Sequence, residues 1–154
     1  MSRDNPGVVI FPPALFGLAF FGGLLIQWFF PWRLPLPEWL RLSAAVLLFL
    51  ASGAFGVWGT RVMKAAGTNV NPGLPTTAVV STGPFRYTRN PLYLSALGLY
   101  LGAAPATNTV WLLVLLIPLV LILDVGIVRR EERYLEAKFG EPYRAYKKQV
   151  RRWV

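Results

Sequence analysis

Charge falls along this sequence in blocks, and the blocks limit what the chain can become. Asn5 to Trp32, Leu42 to Thr60 and Asn90 to Leu123 contain no Asp, Glu, Lys or Arg. A helix on the surface of a water-soluble domain mixes charged and apolar positions within a few turns. A helix that crosses a bilayer instead needs about 20 mostly apolar residues. The first stretch predicts one span over about 9–30, and the second predicts one over about 39–58. The third is too long for a single crossing and is interrupted by Ala104-Pro105-Ala106-Thr107-Asn108. It predicts a helical hairpin, 91–103 and 109–125, whose short first arm is tilted or partly inserted. The expected fold is an all-α integral membrane protein with about four transmembrane helices. It forms one domain over 1–154, with a loop at 60–90 and C-terminal helices at 126–152.

Lack of charge alone does not make a span. Ala65 to Phe85 is also uncharged, but it holds Gly67, Asn69, Asn71, Pro72, Gly73, Pro75, Ser81, Gly83 and Pro84. These are turn formers, and an irregular backbone in lipid would leave polar groups unpaired. A cleaved signal peptide is the competing reading of the first span. Its basic start would be Arg3 beside Asp4 alone, and Phe29-Phe30-Pro31-Trp32 is a poor cleavage site.

Alternating sides puts the N-tail, the 60–90 loop and the C-tail together, with fourteen Lys and Arg against Arg33 and Arg41 opposite. Positive charge marks the cytoplasmic side, so both termini are expected there. The net charge of +9 then reflects topology and attraction to anionic head groups rather than nucleic acid. The chain has no Cys and no His. Disulfides, thiolate metal sites and imidazole base chemistry are therefore excluded, and no metal is expected.

The unusual polar residues all fall on the basic side. Around Asn90-Pro91, a Pro fit for a first helical turn follows a natural N-cap. Arg86, Arg89, Tyr87 and Tyr93 crowd that helix start, which favours an anion. The bland alternative is a capped membrane-entry loop. Farther on, Asp124, Glu131 and Glu132 are seven and eight residues apart, on one helical face. The bland reading of the two glutamates is a solvated face paired to Arg129, Arg133 and Arg86. Asp124 is less bland, because an acid at the edge of a span is costly.

Gly83-Pro84-Phe85-Arg86-Tyr87-Thr88-Arg89-Asn90-Pro91-Leu92-Tyr93 is followed by Glu131-Glu132-x-x-Leu135-x-x-x-Phe139-Gly140-x-x-Tyr143-x-x-Tyr146. Together they resemble the isoprenylcysteine carboxyl methyltransferase family, close to its small bacterial members and related to the phospholipid methyltransferases. Gly67-Thr68-x-x-x-Pro72 looks like the bacterial branch. The resemblance covers roughly residues 60–152, and implies an S-adenosylmethionine-dependent methyltransferase of the bacterial inner membrane, with its cofactor at the cytoplasmic face. Carried over by position, it has Thr77, Ala78, Val79 and Val80 lining the cofactor and Phe85 packing on it. Asn90, Pro91, Leu92 and Tyr93 would hold it, Glu131 would bind it, and Arg89 would support the motif. Eukaryotic members carry His at the place of Asn90. Their substrate arginine falls near Ile127, which leaves Arg129 or Arg130 to replace it.

The chemistry of the residues agrees with this. A sulfonium favours carboxylates and aromatic faces, and a carboxylate favours Arg or helix N–H groups. Glu131, Tyr87, Tyr93, Phe85 and Arg89 supply these types. The acceptor is expected to be lipophilic and to arrive from the bilayer, with carboxylate O-methylation favoured and N-methylation of a phospholipid or small amine as the alternative. A carboxylate acceptor needs no deprotonation; an amine or alcohol would need a base, for which Glu131, Glu132 and Asp124 are candidates. Two rivals stand beside this reading: an NADPH-dependent membrane lipid reductase using the C-terminal Arg cluster, and a non-catalytic membrane scaffold.

Overall fold

A computed structural model describes residues 7, 10–71 and 73–154. Arg3 of the N-tail, Val9 at the start of the first expected span, and Pro72 of the upstream motif lie outside the described residues. The described chain is helical: α1 (Pro12–Phe29), α2 (Glu38–Ala65), a 3₁₀ turn (Gly83–Arg86), α3 (Pro91–Thr107), α4 (Trp111–Leu123), a π-helical turn (Asp124–Val128), α5 (Arg129–Phe139) and α6 (Glu141–Gln149).

Among the described residues, three helices are long and apolar enough to cross a membrane: Pro12–Phe29, Glu38–Ala65 and the continuous Trp111–Phe139. Seven of the 11 residues of α5 are charged, so the apolar crossing is α4 continued by the π-helical turn, residues 111–128, and α5 projects beyond it. With 17 residues, α3 is at the lower end of the spanning range of about 17–25. It nevertheless runs the same course as its neighbours. At one end of the bundle the Val110 N–H donates to the Trp32 carbonyl at 2.9 Å, and the Arg41 guanidinium donates to the Pro105 carbonyl at 2.8 Å. At the other end the Arg89 N–H donates to the Arg151 carbonyl at 3.0 Å. The helix joining Asn90 to Asn108 therefore traverses the bundle.

Two sequence expectations are corrected here. Helix α3 does not stop at residue 103; it continues through Pro105 to Thr107. A proline removes one backbone donor and crowds one turn, a small cost near a helix end. The break falls instead at Asn108, whose φ of 52° turns the chain out of the helix. Its Oδ1 accepts the Leu34 N–H at 3.1 Å. Asn90 occupies the N-cap position but makes no side-chain cap bond; its amide is used elsewhere.

Small residues allow α2 and α3 to pack closely. A Cβ on Gly56 would collide with Ser95, one on Gly98 with Ser52, and one on Gly102 would meet Phe49 at 3.2 Å. This is the small-residue packing that brings membrane helices together. The faces turned away from the bundle are apolar and bare. Trp28 is 82% exposed and Leu50 67%, an arrangement suited to lipid and costly in water.

Candidate active site

The irregular segment 66–90, the start of α3, and α5–α6 converge on one cavity of about 690 Å³, within the range for small-molecule sites. Gly83 begins the 3₁₀ turn at φ 59°, a conformation natural to glycine. The turn buries Phe85, and the Tyr146 hydroxyl of α6 locks it by donating to the Phe85 carbonyl at 2.8 Å. Tyr143, Tyr146, Phe85 and Val80 form a small apolar cluster. Burial pushes the Tyr143 and Tyr146 hydroxyls above their ordinary pKa, so both stay protonated.

The two glutamates part company. Glu131 faces the cavity and accepts the Tyr93 hydroxyl at 2.5 Å. Desolvation by burial raises its carboxyl to about 7, against the opposing pull of the Tyr93 hydrogen bond. Glu132 is buried and lies between two guanidiniums. Arg89 Nη2 is 2.9 Å from Oε1, while Arg152 donates through Nε at 3.0 Å and Nη2 at 2.8 Å. The solvated face paired to Arg129, Arg133 and Arg86 is therefore not what forms. Arg89 also donates to the Lys147 carbonyl at 3.2 Å. Its buried Nε has no partner among the described residues.

Most of the residues singled out in the sequence meet here. Ala78, Val79, Val80, Phe85, Arg89, Asn90, Pro91, Leu92, Tyr93, Glu131 and Glu132 line the cavity. Thr77, Tyr87, Arg129, Arg130 and Asp124 do not. Thr77 is exposed, its hydroxyl donating to the Gly67 carbonyl at 2.8 Å. Tyr87 leaves the 3₁₀ turn outward and is 67% exposed. Arg129 pairs with Asp124 at 2.8 Å, and Arg130 donates to the Gly7 carbonyl at 3.4 Å; both arginines are exposed.

The sequence reading assigned no role to Met63, Thr68, Asn69, Thr76, Tyr134, Leu135, Tyr143 and Tyr146, which also line the cavity. Tyr143 and Tyr146 had a signal, being three apart on an amphipathic helix. Phe11, Pro12 and Phe16 bring the start of α1 to the wall, a contact no local pattern announces. Beyond Phe16 and Ala96 an apolar groove continues between α1 and α3 past Phe20, Leu99 and Ala103.

The donor set fits a sulfur-based methyl donor. It offers aromatic faces and, among the described residues, one carboxylate without a cationic partner (Glu131) and a buried guanidinium N–H still unspent. No group of three or more metal-ligating side chains occurs among the described residues.

Comparison with known proteins agrees with the geometry. A family model described as phospholipid methyltransferase matches residues 40–142, more than half of the chain. A Haemophilus influenzae protein described as uncharacterized is 44% identical over 63 residues, which make up 41% of this chain and 90% of that one. No solved structure matches the chain.

Proposed function

This chain belongs to the phospholipid methyltransferase family, and from that premise we propose that it moves a methyl group from S-adenosylmethionine to a lipophilic acceptor at the membrane surface. The observation that carries the proposal is the union of two remote segments in one cavity. Tyr93 of α3 bonds Glu131 of α5, and Arg89 bonds Glu132. The charge asymmetry of the loops supports a cytoplasmic site with both termini on that side, as in a bacterial inner membrane.

S-adenosylmethionine supplies a methyl group made electrophilic by the sulfonium that bears it. The Glu131 carboxylate and the faces of Tyr93 and Phe85 would hold the positive sulfur. The unspent N–H of Arg89 suits a carboxylate. Backbone groups of Ala78 to Val80, with the Tyr143 ring, would border the remainder. Transfer is a displacement at carbon and depends on alignment and exclusion of water. Alignment alone is worth roughly 7–11 kcal/mol. The apolar groove between α1 and α3 would admit the acceptor's hydrocarbon from the side.

Carboxylate O-methylation is what the resemblance to the isoprenylcysteine enzymes implies. The cavity favours a different acceptor. The arginines assigned to a carboxylate, Arg129 and Arg130, lie outside it, and Arg89 is tied to Glu132. Glu131 is the cavity carboxylate that no arginine holds among the described residues, and once transfer has discharged the sulfonium it can take the proton that the methylated amine gives up. A lipid-borne amine is therefore the acceptor this geometry supports best.

Purified protein should be stabilised against heat by S-adenosylmethionine and not by NADPH, and Glu131→Ala should remain folded but lose that response. Stabilisation by NADPH alone would establish the reductase reading, and by neither the scaffold. Labelled methyl donor should then mark an aminophospholipid in vesicles in preference to a prenylcysteine acid; the reverse order would return the carboxylate reading.

A further inference from the structure

The last few residues of the chain return to the site. Val150 ends α6 in extended backbone, and the segment after it runs against the turn before α3. Three consecutive residues of that turn bind it. The Thr88 hydroxyl donates to the Arg152 carbonyl at 3.0 Å, the Arg89 N–H to the Arg151 carbonyl at 3.0 Å, and the Asn90 amide to the Arg152 carbonyl at 2.9 Å. Trp153 packs against the apolar core, and its indole N–H donates to Asp124 at 3.3 Å. The Arg152 guanidinium meets Glu132 with two bonds, at 3.0 and 2.8 Å, and reaches Asp124 at 3.5 Å.

This arrangement sorts the charges of the site. Glu131 and Glu132 are adjacent in sequence and both line the cavity, as does Arg89. Arg152 grips Glu132 in a two-point fork, the geometry a planar guanidinium fixes best. Held so, Glu132 Oε1 takes Arg89 Nη2 at 2.9 Å. Arg89 is thereby fixed at the cavity wall with its Nε unpartnered among the described residues, while Glu131 accepts the uncharged Tyr93 hydroxyl. The wide π-helical turn at Asp124–Val128 lets Asp124 and Glu132 meet the same guanidinium. Asn90 lines the cavity and spends one amide N–H on the strap.

We infer that Arg152 is a positioning residue for methyl-donor binding. It acts through Glu132 to fix Arg89 at the cavity, where its unpartnered N–H suits the donor's carboxylate, and the extended segment 150–153 is the strap that delivers it. The inference rests on the methyltransferase reading and adds a residue outside both sequence motifs.

The test measures S-adenosylhomocysteine affinity and thermal midpoint for the wild type, Arg152→Ala, Arg152→Lys, Glu132→Gln and the double variant Arg152→Ala/Glu132→Gln. Gly102→Ala, crowded by Phe49 at 3.2 Å in the far part of the bundle, serves as a destabilised control. Arg152→Ala should weaken binding by about tenfold or more, the scale of a lost charged hydrogen bond. Arg152→Lys should restore part of the loss. The double variant should bind no worse than its weaker parent, because both changes act on one contact. Gly102→Ala should lower the midpoint and leave affinity alone. Arg152→Ala binding within about twofold of wild type, as a merely exposed ion pair would allow, overturns the inference. So does multiplication of the two losses in the double variant, or a loss of affinity in Gly102→Ala that follows its midpoint. Wild type that binds no S-adenosylhomocysteine overturns the methyltransferase reading together with this one.

Discussion

Removing the Glu132 carboxylate tests how the buried centre is held. The Arg89 and Glu132 side chains are 8% and 6% exposed, at 2.9 Å from each other. Glu132→Ala leaves the Arg89 guanidinium buried with the Lys147 carbonyl as its remaining bonded acceptor, at 3.2 Å, and with Nε already unpartnered. Arg152 suffers less, because its side chain is 31% exposed and Asp124 stays beside it. The cost is therefore mainly that of one stranded buried cation, about 3–5 kcal/mol. For a chain of this size that lowers the thermal midpoint by roughly 6–20 °C. The double variant Arg89→Met/Glu132→Leu removes both charges and should recover most of that stability. It should still not bind the methyl donor. Thermal unfolding in detergent micelles, followed by tryptophan fluorescence, reads the first effect, and titration with S-adenosylhomocysteine reads the second. A Glu132→Ala midpoint equal to wild type would refute the reasoning, as would a double variant as unstable as the single.

Two further outcomes follow from particular residues. Glu131 is raised from 4.5 to about 7, so the folded protein holds a proton there that the unfolded chain has released. Its contribution to stability is complete below pH 4.5 and is lost as pH rises through about 7, while affinity for the cationic methyl donor rises over the same window; Glu131→Gln should flatten both profiles, measured by thermal unfolding and by titration. Gly98→Val should destabilise by about 1–3 kcal/mol, because the added carbon collides with Ser52. Gly22→Ala, which meets nothing within 4 Å, should be neutral or stabilise by up to ~1 kcal/mol. Unfolding midpoints that rank these two the other way would contradict the α2–α3 packing.

The apolar helices were legible before any coordinates because lipid imposes a simple rule. A crossing segment must be long, uncharged and internally hydrogen-bonded, and α1, α2 and α4 satisfy it in sequence alone. The exact end of α3 was not legible. Pro105 is a local helix breaker, yet the Arg41 bond to its carbonyl and the contacts of Asn108 extend that helix to Thr107. Those partners lie more than sixty residues away, beyond the reach of a local pattern.

The site divides in the same way. Residue types and spacing marked Asn90 to Tyr93 and Glu131 to Glu132, because an uncharged chain has few places for polar chemistry. Which glutamate is left without an arginine, and which arginines hold the other, depended on long-range pairing. Arg152 looked like one more charge in a basic tail, and Arg129 and Arg130 looked better placed for a ligand. The sequence alone determined the medium, the helical class and the two segments that carry the polar groups, since these follow from solvation of short stretches. The tertiary structure decided the division of labour between Glu131 and Glu132. A buried charge is settled by whichever counter-charge can reach it in three dimensions, and here that partner comes from the far end of the chain.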